Sequence, residues 1–179
     1  MKTLKTILAI VLLLGLAACS STQSLQEYYV DSAENPNFLS VDLPVSLLKL
    51  DKANLTSEEK EALGSLKKMN VLAFKKSNDN TAAFNIEKTK VKAILKNQKF
   101  TELMKMNTSF GKASIKYLGD EDAIDEVVIY GDSDDKGFML VRILGNKMNP
   151  AHMVQFMQAI EKSDFNGEGF GEIADFIKG

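Results

Sequence analysis

Three β-rich segments separated by short polar turns constrain the fold of this 179-residue chain most strongly. The segments are KASIKYL (112–118), DEVVIY (125–130) and GFMLVRIL (137–144), and aspartate and glycine dominate the turns between them. Short strands joined by such turns are typical of an antiparallel meander. We therefore predict an antiparallel sheet in the second half of the chain.

Helical patterns lie on both sides of this meander. Between residues 81 and 96, apolar residues recur at helical spacing while lysines lie mainly on the other face. A Thr/Glu capping box predicts a second helix at 57–67. A third helix is predicted after Asn149, which is a suitable N-cap and is followed by proline. A short final helix is predicted around 173–177.

Two further strands are predicted at 69–76 and 100–106, whereas the apolar segment 38–50 is interpreted as a turn of helix after Pro44. Runs of strands interspersed with helices favour the α+β class. We therefore predict a single α+β domain over residues 38–179. It has a mainly antiparallel sheet of four or five strands, with helices packed on one face.

The N-terminus predicts export. Lys2 and Lys5 precede ten apolar or glycine residues at 7–16, and small residues follow up to the only cysteine, Cys19. This is the pattern of a secretory signal peptide, which we place at residues 1–18. The apolar run is too short to span a membrane, which takes about 20 residues.

The segment LAAC, which ends at Cys19, resembles the lipobox of bacterial lipoproteins. The resemblance implies cleavage before Cys19 and attachment of lipid, including palmitate, to that residue. A lone cysteine has no disulfide partner within the chain, which agrees with an anchor. The alternative is an ordinary signal peptide, with Cys19 removed or left free. Ser20 after the cysteine implies the outer membrane, and the non-acidic SSTQ implies its periplasmic face. The polar residues 19–37 are interpreted as a lipidated tether on which a tyrosine pair docks.

Charge limits the classes of partner. Loss of the signal peptide reduces the basic residues from 22 to 20 against 24 acidic residues, so the mature chain carries a net charge of about −4. This balance gives no support to nucleic-acid binding or to electrostatic docking on anionic lipid. The expected partners are the membrane, through Cys19, and an envelope protein.

No catalytic or metal-binding constellation is predicted. His152 is the only histidine and Cys19 serves the anchor, so a zinc site with His or Cys ligands cannot form. DSDDKG, from Asp132, imitates the start of an EF-hand loop, but Ile143 occupies the twelfth place, where a glutamate is needed. We interpret it as a hairpin turn, although a weak cation site formed with the preceding acidic turn stays open. No cofactor and no metal ion is predicted.

Arg142 is the only arginine, against 21 lysines, and it lies within an apolar strand. A hairpin about the acidic turn places it across from Glu126, give or take one residue. An Arg142–Glu126 ion pair on a half-buried sheet face is the simpler interpretation. The alternative is that Arg142 binds an anionic ligand or the carboxylate of a partner.

The segments IDEVVIY (124–130) and GFMLVRILGNKMNP (137–150), together with the lipobox, resemble the bacterial lipoproteins of domain-of-unknown-function family 4252. The resemblance spans most of residues 45–162 and leaves residues 163–179 outside. It implies no catalytic residue. Genes of this family often lie near those for extracytoplasmic-function sigma factors, which implies a connection with envelope stress.

We therefore expect a non-catalytic, periplasm-facing lipoprotein that acts as a protein-interaction module in envelope homeostasis or stress signalling. The alternative is a module for a small apolar ligand or lipid, with the helix faces 84–95 and 153–160 lining a cavity on the sheet. An enzyme that uses only carboxylates is the third interpretation, and it requires two acidic residues with raised pKa values in one cleft.

Overall fold

A computed structural model describes residues 23–44, 56–108, 111–121 and 123–151 of the chain. These residues form three helices and a six-stranded sheet. The helices are α1 (Leu25–Ala33), α2 (Ser57–Gly64) and α3 (Thr81–Leu95). The strands are β1 (Phe38–Pro44), β2 (Leu66–Lys75), β3 (Thr101–Asn107), β4 (Lys112–Asp120), β5 (Ala123–Ser133) and β6 (Gly137–Met148).

All five strand pairs are antiparallel, and the strand order is β1-β2-β6-β5-β4-β3. Strands β3 to β6 form the meander, and β2 pairs with the outer side of β6. The predictions of an α+β fold and a mainly antiparallel sheet are confirmed. The edges of the described sheet are β1 and β3.

The predicted count of four or five strands is wrong, because residues 38–44 form β1 rather than an approach to a helix. Leu39, Val41 and Leu43 alternate along this segment and pack toward one face of the sheet. Pro44 ends β1, and an edge strand tolerates a residue that has no N–H to donate.

One face of the sheet packs against α1 and α3, and we call it the helix face. Its core is aromatic: the rings of Phe74 and Phe138 are stacked with centroids 5.6 Å apart, and Phe84 of α3 lies 5.9 Å from Phe74. All three side chains are fully buried. The amphipathic pattern at 81–96 is therefore confirmed as α3, with its apolar stripe in the core.

The predicted tether, residues 19–37, contains α1. The prediction of an unstructured tether is therefore wrong for the part that the structure describes. Ser24 caps the helix by a reciprocal box, in which Glu27 N donates to Ser24 Oγ (3.2 Å) and Ser24 N donates to Glu27 Oε2 (2.8 Å). Tyr28 and Tyr29 are buried against the sheet. The predicted docking of the tyrosine pair thus takes the form of a capped helix.

The opposite face of the sheet is also buried, and Leu63 of α2 packs against it. The expectation that helices pack on one face is therefore wrong. The physical reason lies in β2, where six consecutive residues from Met69 to Phe74 are buried, so that both faces of the strand are apolar. A sheet of this kind needs cover on both faces.

Asn149 caps the start of the next helix: its Oδ1 accepts a hydrogen bond from Ala151 N at 2.8 Å. The remainder of that predicted helix and the predicted final helix lie outside the described residues. Cys19 and His152 lie outside them as well.

Candidate functional site

α3 covers only part of the helix face. Its buried residues, Phe84, Val91, Ile94 and Leu95, pack in one cluster with side chains from β2, β5 and β6. No described helix covers the helix-facing side of β3 or most of the helix-facing side of β4.

The uncovered area forms an open cavity of about 440 Å³ between α3 and the β3–β4 hairpin. We call it the lysine groove, after the five lysines that line it: Lys92 and Lys96 from α3, Lys105 from β3, and Lys112 and Lys116 from β4. Its two lining carboxylates are Glu102 and Asp132. The groove therefore carries an excess of positive charge, although the chain as a whole is acidic.

Both carboxylates of the lysine groove are already paired. Glu102 Oε2 lies 2.9 Å from Lys105 Nζ, whose hydrogen bond lowers the pKa of that carboxyl below its ordinary value. Asp132 Oδ2 lies 3.2 Å from Lys92 Nζ. Within the described part of the chain, Lys96 takes part in no ion pair. Positive charge is thus available to an acidic ligand.

Lys112, like Lys96, forms no ion pair with a carboxylate of the described residues. Lys116 shares Glu102 at the longer distance of 4.0 Å. Lys112, Ser114 and Lys116 alternate along β4 and lie on its helix face. Ser114 is paired with Tyr130, and Lys116 with Val128, and both of these β5 side chains belong to the core under the helices.

Tyr130 contributes to the floor of the lysine groove. It is 5% exposed, and its hydroxyl is buried without a hydrogen-bond partner among the described residues. Burial raises its pKa, so the phenol stays protonated and can donate. Lys92 Nζ lies 5.9 Å from the centre of its ring. A buried hydroxyl without a partner costs about 1–3 kcal/mol, and a ligand oxygen that reached it would recover part of that cost.

β3 borders the groove as an edge strand. Six of its seven residues are exposed, including Met104 and Met106 at 39% each. Its pairing with β4 has a bulge between Glu102 and Met104, after which the register is regular to Asn107. The strand therefore offers both its free edge and two apolar side chains to solvent.

Arg142 and Glu126 are brought together on the helix face at the end of the sheet near α1. Arg142 Nη2 lies 2.7 Å from Glu126 Oε2, and Nη1 donates a hydrogen bond to Gln26 Oε1. The register differs from the expected one: Arg142 lies opposite Val128, and Glu126 lies opposite Leu144. The hairpin turn is centred one residue later than the sequence suggested, so the pair is diagonal, which is still within reach of long side chains.

A row of polar side chains continues from Arg142 across the sheet. Asn70 lies opposite Arg142 on β2 and donates to Asp42 on β1. Burial would raise the pKa of Asp42, but hydrogen bonds from Lys68 and Asn70 outweigh it and lower that pKa. The hydroxyl of Tyr29, on α1, donates a hydrogen bond of 2.9 Å to the backbone carbonyl oxygen of Leu140 on β6. Arg142 is therefore part of a network that joins α1 to the sheet.

A second cavity of about 230 Å³ lies beside Arg142, between the start of α1 and the end of α3. The buried Nε of Arg142 has no hydrogen-bond partner among the described residues. Because Glu126 already neutralises the guanidinium, this cavity offers less free charge than the lysine groove.

The acidic turn from Asp132 is a hairpin turn, since β5 ends at Ser133 and β6 begins at Gly137. Lys88 Nζ lies 2.5 Å from Asp132 Oδ2 and 2.7 Å from Asp134 Oδ1. Burial would lower the pKa of Lys88, but these two hydrogen bonds raise it. Across the residues that the structure describes, no three His, Cys, Asp or Glu side chains are grouped so that they could hold a metal ion.

Sequence reasoning missed the lysine groove, although part of its signal is local. Lys92 and Lys96 lie one helical turn apart, and Lys112 and Lys116 share one face of a strand. Their convergence depends on where α3 crosses the sheet, which local patterns do not determine. The S-x-x-E signature of α1, at Ser24, was also present in the sequence.

A family model for a domain of unknown function, DUF4252, matches residues 28–156, which is more than half of the chain. The chain belongs to the DUF4252 family. The DUF4252 match begins within α1 and includes all six described strands, so the lysine groove lies inside it. It ends before residues 163–179 and excludes Cys19.

No curated protein matches this DUF4252 chain, and no solved structure matches it. None of the helices in the described segments has the length and apolar character needed to cross a membrane.

Proposed function

We propose that this DUF4252 protein is a non-catalytic, lipid-anchored binding module of the cell envelope that receives an acidic protein partner in the lysine groove. The observation that carries the proposal is the groove itself. Its lysines outnumber its carboxylates by five to two, and both carboxylates are paired with lysines of the protein. Charge complementarity of this kind favours rapid and specific association with an acidic surface.

The shape of the groove favours a protein over a small molecule. It is open to solvent and is bordered by the exposed strand β3, which also offers Met104 and Met106 to a large partner from its other face. Methionine adapts its shape to the surface against which it packs, which makes it common at binding sites. An enclosed cavity, by contrast, is the usual site of a small ligand.

Cys19 supplies the anchor in this proposal. Its lipobox supports acylation, and Ser20 supports the outer membrane, with the domain facing the periplasm. The partner is accordingly an envelope protein, and the family resemblance favours a role in envelope homeostasis or stress signalling.

The carboxyl groups support a binding role rather than acid–base catalysis. For Glu102 and Asp134 the pKa is lowered, chiefly by a hydrogen bond from a lysine. For Asp42 burial would raise the pKa, but hydrogen bonds from Lys68 and Asn70 lower it. A general acid at neutral pH needs the opposite shift. In the described residues, the raised pKa values of acidic side chains belong to buried tyrosines.

The test compares two charge-reversed variants of the full lipidated chain. The groove variant carries Lys96→Glu and Lys112→Glu. The control carries Lys60→Glu and Lys67→Glu, which lie on exposed positions away from the groove and change the net charge equally. Both are crosslinked in cells, purified by affinity in detergent and analysed by mass spectrometry.

We expect one envelope protein to be recovered in near-equal amount with wild type and control, and to be lost with the groove variant. Its contact residues, mapped by the crosslinks, should be rich in aspartate and glutamate. Equal recovery with the groove variant and the control would contradict the proposal.

A second candidate function is the binding of a small apolar ligand or lipid with an acidic head. Tyr130 favours it, because its unpaired hydroxyl lines a cavity larger than the roughly 300 Å³ typical of small ligand sites. Of the expected lining from residues 84–95, Leu95 lines the cavity, whereas Phe84 and Val91 are packed in the core. The expected lining from residues 153–160 lies outside the described residues. Lipid extraction from purified wild type and Tyr130→Phe tests this candidate, and a bound species that is depleted in the variant would support it.

A further inference from the structure

The free edge of β3 lies beside the lysine groove. β3 is the last strand in the order of the described sheet, and none of the described residues pairs with its outer edge. An exposed strand edge presents unpaired N–H and C=O groups, which pair readily with another extended chain.

The protection of the β3 edge is partial, since its bulge is confined to the segment between Glu102 and Met104. The strand contains no proline, and its two charged residues, Glu102 and Lys105, neutralise each other at 2.9 Å. From Met104 to Asn107 its pairing with β4 is regular. The opposite edge of the described sheet, β1, ends in Pro44. The edge of β3 is therefore the better template for an added strand.

The two faces of β3 differ in chemistry. Lys105 lies opposite Ser114 and therefore on the groove side. Met104 lies opposite Ile115, whose side chain belongs to the core of the other face. A strand added to β3 would place alternate side chains toward these two environments. Acidic side chains suit the groove side, and apolar side chains suit the methionine side.

A second copy of this chain is a poor occupant of the same edge. Pairing β3 with itself would bring two lysine grooves side by side, and the excess positive charge of each would repel the other. Charge complementarity selects a different chain, in which acidic residues alternate with apolar ones.

We propose that the partner binds by adding an extended segment of alternating acidic and apolar residues to the edge of β3, as a seventh strand of the described sheet. This inference rests on the proposed function, since it assigns the conformation and the sequence pattern of the segment that occupies the lysine groove. The main-chain hydrogen bonds supply affinity, and the alternating side chains supply specificity.

The experiment uses the mature full chain and a seven-residue peptide that alternates glutamate with valine. Two control peptides have the same length: one alternates lysine with valine, and the other has the composition of the first but places its glutamates consecutively. Affinity is measured by fluorescence anisotropy, and amide hydrogen exchange is followed residue by residue across residues 101–107.

We expect the alternating acidic peptide to bind at least about tenfold more tightly than either control, and to slow exchange at the outward amides of β3. The groove variant, with Lys96→Glu and Lys112→Glu, should weaken this binding at least about tenfold. The Lys60→Glu/Lys67→Glu control should change it by less than about twofold.

Proline substitution locates the main-chain bonds. The amides of neighbouring residues in a strand point in opposite directions, so one of Lys105→Pro and Met106→Pro removes an outward N–H while the other breaks pairing with β4. Urea unfolding identifies the variant that retains its fold, and that variant should lose peptide binding at least about tenfold.

The outcomes separate the two proposals. Binding that depends on the groove lysines but leaves the β3 amides unprotected overturns strand addition and keeps the groove as the site. Equal affinity for the alternating peptide and for the peptide with consecutive glutamates also overturns strand addition, as does no binding. Self-association of the mature chain through β3, detected by sedimentation and removed by the same proline variant, would make a second copy the occupant.

Discussion

Breaking the ion pair between Arg142 and Glu126 tests whether these side chains stabilise the fold. Only 14% and 11% of the two side chains are exposed, and Nη2 lies 2.7 Å from Oε2. Removal of one partner from a fully buried pair costs about 3–5 kcal/mol, because the remaining charge stays desolvated. Residual exposure reduces this cost, so we expect Arg142→Met and Glu126→Leu to lose about 2 kcal/mol each.

The double variant separates pairing from packing. It removes both charges and leaves apolar side chains of similar size, so it should lose about 1–2 kcal/mol rather than the sum of the single losses. The coupling energy from this cycle should be about 2–3 kcal/mol. Urea unfolding of the mature chain, followed by circular dichroism, measures the four free energies.

Two results would refute this reasoning. Additive losses in the double variant would mean that the two side chains do not stabilise each other. An Arg142→Met variant as stable as wild type that no longer recovers the partner would assign Arg142 to binding instead.

Three further predictions concern the backbone, a buried hydroxyl and a carboxyl group. Gly137→Ala should lower the free energy of unfolding in urea by at least about 2 kcal/mol, because φ is +128° and an added Cβ would overlap the carbonyl oxygen of Phe74. At the control position Gly64, an added Cβ meets nothing within 4 Å, so Gly64→Ala should change the free energy of unfolding by less than about 1 kcal/mol. Tyr29→Phe should lose about 1 kcal/mol, measured in the same way, since it removes the 2.9 Å hydrogen bond to β6. Asp42→Asn should lose less than about 1 kcal/mol at pH 7, and the loss should shrink as the pH falls below 3.8. Burial would raise the pKa of Asp42, but hydrogen bonds from Lys68 and Asn70 lower it below 3.8, so the stabilisation is present above that value and is lost as the pH falls through the folded pKa.

Local patterns predicted the elements whose periodicity is strong. The apolar stripe of α3 and the three strands of the meander follow from residue spacing alone. α1 was not predicted, because its apolar residues are few and the flanking residues are polar, although Ser24 and Glu27 carry its capping signature. The cover on both faces was readable in β2, where Val71 to Phe74 form an unbroken apolar run rather than the alternation of a half-exposed strand.

The candidate site was harder to predict, because it depends on how elements meet. Arg142 and Glu126 attracted attention by their type, but the centre of the hairpin turn determined that they lie diagonally. The lysines of the groove come from one helix and two strands. Lys96 and Lys112 are ordinary surface residues in the sequence, and only the position of α3 on the sheet makes them neighbours.

The docking of α1 sets how far the domain can stand from a membrane. Only five residues separate Cys19 from Leu25, where α1 begins. Fully extended, the chain from Cys19 to Leu25 spans no more than about 22 Å. If Cys19 carries lipid, the sheet is therefore held close to the headgroups instead of exploring the full depth of the periplasm. Partners would then be selected by their height above the bilayer as well as by their charge, which favours proteins that are themselves attached to the same membrane.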